Sequence, residues 1–140
     1  MTRRRHPLLL LAAALALVAV TGACSSKSPT KSSTADRPST TARLEIVRPT
    51  ASAKTGPDPT VEVNLIGATV VQATTGPLRP DEGHIHLFVD GQLVSMAYGT
   101  TQDLHGLAPG THTLQAEFVA TDHAPFSNRV VAGVIFEVEP

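Results

Sequence analysis

Residues 84–97 read HIHLFVDGQLVSMA, two short runs joined at Asp90-Gly91. A two-residue Asp-Gly connection closes a tight hairpin because both positions tolerate positive φ. The register follows from the turn: Val89 faces Gln92, Phe88 faces Leu93, Leu87 faces Val94, His86 faces Ser95, Ile85 faces Met96 and His84 faces Ala97. Period-two alternation then assigns Ile85, Leu87, Val94 and Met96 to the core face. His84 and His86 share the opposite face, expected toward solvent.

Downstream, LAPGTHTLQAEF (residues 107–118) turns at Pro109-Gly110 into a strand that points Leu114, Ala116 and Phe118 one way and Thr113, Gln115 and Glu117 the other. Runs of Val, Ile, Leu and Thr bounded by Gly, Pro and Asp predict further strands near 43–48, 60–66, 68–72, 101–105 and 129–138. Sustained 3.6-residue periodicity is absent, so the expected fold over 43–140 is all-β, an antiparallel β-sandwich of about seven to eight strands. The Pro109-Gly110 corner resembles the one leading into the sixth strand of immunoglobulin-like and fibronectin type III-like domains. Those domains carry Tyr two residues beyond the turn, where this chain has His112, and the resemblance implies that His112 bonds to backbone in its place. His105 is expected to be surface polar. Tyr98 and Phe126 are the rings expected to be exposed, too few for a carbohydrate-binding platform.

Upstream of the domain, composition changes sharply. SSKSPTKSSTADRPSTTA (residues 25–42) has two alanines as its only apolar residues and cannot offset the entropy of ordering, so a flexible tether is expected. Before it, Arg3-Arg4-Arg5 precedes an apolar run from Leu8 to Val20, and small residues lead to Cys24. The run of 13 residues is short of the roughly 18 to 20 needed to span a bilayer as a helix. This layout predicts a signal peptide over 1–23. Val20-Thr21-Gly22-Ala23-Cys24 resembles the lipobox of bacterial lipoproteins. That resemblance implies cleavage before Cys24 and diacylglyceryl attachment to its sulfur, with the bilayer as a partner. Cys24 is the only cysteine, so no disulfide competes for it.

The 11 Lys+Arg and 12 Asp+Glu include Arg3–Arg5 of the leader, so the mature chain is mildly acidic and nucleic acid is not an expected partner. No G-x-S-x-G occurs, and Ser52, Ser95 and Ser127 have no nucleophile context, so the chain is not expected to be an enzyme. Asp81-Glu82, between Pro80 and Gly83, fits a solvated turn. Six histidines remain to be explained, five of them after residue 83. In an immunoglobulin-like topology the loop holding Asp122-His123 lies at the same end as the start of the strand bearing His84 and His86. Three neutral imidazoles there, with Asp122 or Glu82 as further donors, would suit copper, zinc or nickel. GHIHLFVDG followed by LAPGTHTLQAEFVATDHAPF also resembles a pattern of small exported bacterial domains. The expected function is thus a membrane-anchored extracytoplasmic lipoprotein with a non-catalytic binding or adaptor domain, docking an extracytoplasmic protein and requiring no cofactor. The alternative is a periplasmic or cell-wall copper- or zinc-binding protein using His84, His86 and His123.

Overall fold

The computed structural model describes residues 37–140; the expected signal peptide over 1–23, the expected lipidation site Cys24 and residues 25–36 of the expected tether lie outside the described residues. Among the described residues nine strands follow one another: β1 (Arg43–Arg48), β2 (Lys54–Thr55), β3 (Thr60–Ile66), β4 (Thr69–Val70), β5 (Glu82–Val89), β6 (Gln92–Ala97), β7 (Thr101–Asp103), β8 (Gly110–Val119) and β9 (Pro125–Val138). A small sheet has the order β1-β3-β7, and a larger one has β2-β9-β8-β5-β4 with β6 also paired to β5. Pairing is antiparallel except for the two-residue strands β2 and β4, which run parallel to β9 and β5. The architecture is an all-β, immunoglobulin-like sandwich.

Alternation builds the core. Leu44, Val61, Val63 and Leu104 from the small sheet's side meet Ile85, Leu87, Leu114, Ala116, Phe118 and Phe136 from the large one. The β8 assignment holds in detail, with Leu114, Ala116 and Phe118 fully buried. The hairpin also closes as expected: Asp90 and Gly91 have φ of 51° and 79°, and Val89 faces Gln92 and Phe88 faces Leu93.

Beyond that pair the expected register fails. A β-bulge shifts it by one, so Leu87 faces Ser95, His86 faces Met96 and Ile85 faces Ala97. An extra residue in one strand moves every later side chain to the other face. Val94 and Met96, expected in the core, are therefore exposed. Phe126, expected at the surface, is fully buried, with its ring stacked on Phe118 at a centroid separation of 5.2 Å.

The ordered domain also begins earlier than composition suggested. Arg37, Thr40 and Ala42, at the end of the expected tether, are buried. Asn128 holds this segment from both sides, its Oδ1 accepting from Thr40 N at 2.8 Å and its Nδ2 donating to Thr40 O at 2.7 Å. Long-range hydrogen bonds offset an ordering cost that sequence composition alone cannot.

Candidate functional site

The histidine-bearing end of the large sheet is assembled by three elements. β5 supplies His84 and His86 on the face opposite Ile85 and Leu87, and the β8–β9 connection supplies His123. Next to His86 lie Met96 on β6 and Glu117 on β8, each directly opposite it in register. Tyr98, just past β6, sets its ring edge-on to His84 at 4.8 Å.

The three histidines do meet. His123 lies 4.4 Å from the His84 ring and 5.4 Å from the His86 ring, centroid to centroid. His86 Nε2 and His123 Nδ1 are hydrogen-bonded at 3.1 Å, one ring donating and the other accepting. His84 is engaged elsewhere: its Nε2 donates to Ala73 O at 3.1 Å, and its buried Nδ1 has no partner among the described residues. Among the described residues no group of three or more imidazole, carboxylate or thiol side chains stands ready to hold a metal ion.

The solvent-facing placement expected of His84 and His86 does not hold, since both are buried. The connection between β4 and β5 brings Ala73 onto His84, and Tyr98 covers its side. Burial, and secondarily the nearby His123, pushes both imidazoles below their usual value. Desolvation penalises the imidazolium, so both rings are held neutral at neutral pH.

His123 is presented by a strained turn with φ of 61°, a conformation that histidine adopts more readily than most residues. What holds the turn is Arg37. Its Nη1 and Nη2 each donate to Asp122 at 2.7 Å, Nη2 also donates to Ala124 O at 2.9 Å, and Nε donates to Pro125 O. Bidentate pairing of this kind fixes geometry as well as charge. The Asp122 carboxylate, expected as a donor to a metal, is thereby committed to Arg37, which holds it below the usual carboxylate range. Glu82 leans on Arg79 at 3.5 Å instead. Glu117 is buried but neutralised by Arg129, whose Nε and Nη2 donate to it at 2.7 and 2.6 Å. Sequence reasoning missed Arg37 because it sits in a Ser/Thr/Pro run, and missed Met96 because the bulge reversed its face.

No protein-family model matches the chain, and no curated protein matches it either. Among solved structures, a fibronectin(III)-like module of Clostridium thermocellum CbhA is similar at 19% identity and TM-score 0.49, covering 68% of this chain and 93% of that one. Two structures of the N-terminal four Ig domains of Dscam1, isoforms 4.44 and 7.44, are similar at 10% identity and TM-score 0.39. Those matches cover 70% of this chain and 21% of theirs, so the chain spans about a fifth of their length. Similarity at this level carries no information about ligand or activity.

Among the described residues, two further histidines lie apart from the cluster. His105 is on the surface, 3.6 Å from Asp58. His112 takes the corner role expected of it, Nε2 donating to Ala108 O at 2.8 Å and Nδ1 to Asp90 Oδ2 at 2.7 Å. Both acceptors lack a proton, so both bonds form together only with the imidazolium. The Ala108 carbonyl, and then Asp90, raise the His112 pKa. Its contribution to stability is therefore complete below the unfolded value of 6.5 and is lost as pH rises through the folded one. His84 and His86 act with the opposite sign: the unfolded chain binds their protons more tightly, so stability falls as pH drops below 6.5 toward their lowered folded values. Proton NMR titration should place His112 above 6.5 and His84 and His86 below it. Replacing His112 by Ala should cost about 1–2 kcal/mol at pH 6 and less at pH 8, by urea denaturation. A cost independent of pH would show that His112 is not charged in the fold.

Proposed function

We propose that this chain is an extracytoplasmic lipoprotein, anchored to the cytoplasmic membrane through acylated Cys24, whose sandwich is a non-catalytic binding or adaptor module. The observation that supports docking is the apolar edge of the large sheet: Leu93, Val94, Met96 and Tyr98 are exposed by 46%, 44%, 51% and 46%. Monomeric proteins usually protect an edge strand with charge, and contiguous exposed apolar residues mark partner sites. The partner is an extracytoplasmic protein. Two acyl chains on Cys24 would anchor far more firmly than one, at about 0.8 kcal/mol per buried methylene. A photo-crosslinking residue at position 93 in native cells should yield one discrete protein adduct, and the same residue at Glu45, exposed on the small sheet, should not. Identical adducts from both positions, or none from 93, would remove the adaptor reading. Mass spectrometry of the native protein should find Cys24 amino-terminal and thioether-linked to diacylglycerol; a free thiol would remove the anchor.

A second reading, metal binding in the periplasm or cell wall, is favoured by one observation, the meeting of His84, His86 and His123 at one end of the sheet.

A further inference from the structure

We propose that His86, His123 and Met96 together bind one monovalent copper ion, with His84 as buried support and not a ligand. This inference rests on the metal reading and makes it specific in ligands and in ion.

The ligand set follows from what each donor is already doing. His84 is fully buried and its Nε2 is spent on Ala73 O. Asp122 and Glu117 are each doubly bonded to an arginine. That leaves the facing nitrogens of His86 and His123, 3.1 Å apart, close enough to share an ion bonded about 2 Å from each, the usual metal–imidazole distance. Only one of these nitrogens carries a proton. A neutral imidazole can shift that proton to its other ring nitrogen, so a cation can replace the hydrogen bond with no net proton released.

Met96 supplies the third donor because of the bulge. The shifted register puts it directly opposite His86, and residues so paired share a face with Cβ atoms about 4.5–5.5 Å apart. Had the two-residue turn propagated without a bulge, Ser95 would stand there instead. A methionine opposite His86 that is 51% exposed has little to gain from packing.

The choice of ion follows from charge and softness. All three donors are neutral, and the nearby carboxylates are already compensated by Arg37 and Arg129. A divalent ion would enter this half-buried site with no anionic ligand to offset its desolvation, a penalty that a monovalent ion meets at a lower level. Thioether sulfur selects Cu(I) over Zn(II), and imidazole suits both.

The test uses the full chain carrying Cys24→Ser, purified in detergent, so that the lone thiol cannot compete for copper. Cu(I) supplied anaerobically against a chromogenic chelator should bind at one equivalent, and X-ray absorption should show nitrogen and sulfur scatterers. Asparagine tolerates positive φ, so H123N keeps the turn at 61° and should fold. Loss of an outer-shell partner costs metal sites about 10–100-fold, and H123N, which removes a ligand, should weaken Cu(I) binding at least as much. M96L, at an exposed site, should weaken Cu(I) by about tenfold or more while leaving Zn(II) binding unchanged. Equal Cu(I) affinity in M96L, or Zn(II) bound as tightly as Cu(I), would overturn this inference and leave the metal reading standing. No histidine-dependent binding of either ion would overturn both.

Discussion

Gly83→Ala should cost about 3 kcal/mol or more, and the variant is expected to be largely unfolded or trapped in a distorted sheet. A Cβ built on Gly83 would stand 2.0 Å from Val119 O and 3.0 Å from both the Val119 carbonyl carbon and Phe118 Cε2. The obstacle is backbone, which cannot rotate out of the way as a flexible side chain would. Overpacking usually costs about 1–3 kcal/mol, and a clash that must separate two paired strands belongs at or above the top of that range. The damage should spread to the candidate site: His84 follows Gly83 directly, and the turn presenting His123 starts just past Val119. Urea denaturation gives the cost, and imidazole NMR signals report whether the cluster survives. A loss below 1 kcal/mol would mean that β5 and β8 do not approach as closely as described.

The elements that were legible in the sequence are those whose information is local. Asp90-Gly91 dictates a turn type whatever surrounds it, and the strict alternation of Leu114, Ala116 and Phe118 dictates a buried face. Pairing His84 with His86 needed only the pleat. The bulge was illegible because alternation favours the register that buries Val94 and Met96, whereas the observed register leaves Leu93, Val94 and Met96 all exposed. The choice is made across the sheet, where Ser95 takes the half-buried position opposite Leu87 and Met96 is left beside His86. The Arg37 clamp was illegible for a related reason. Its partners, Asp122, Ala124 and Pro125, are more than 80 residues away, and only the finished sandwich brings them together.

Phe126→Ala should cost about 3–5 kcal/mol, the range for removing a fully buried phenylalanine ring. The flanking sequence, TDHAPFSN, is polar and resembles an exposed loop, yet Pro125 pairs with Val119 and Val130 with Phe118. The unpaired stretch between them turns Phe126 inward onto Phe118, with ring planes 26° apart. Removing the ring leaves a cavity against Phe118 that the rigid β8–β9 pairing prevents from closing. The consequence for the site is separable from the loss of stability. Arg37 grips Ala124 O and Pro125 O, the residues that link His123 to this ring, so the aromatic plug and the arginine clamp fix the same turn from opposite ends. Phe126→Leu refills most of the volume and should recover much of the stability. If His123 is positioned by backbone anchoring, the Leu variant should also restore the His86–His123 contact, read as recovery of the nuclear Overhauser effect between the two rings. A Phe126→Ala variant as stable as the parent would show that the ring lies outside the core and that the β8–β9 connection is built differently.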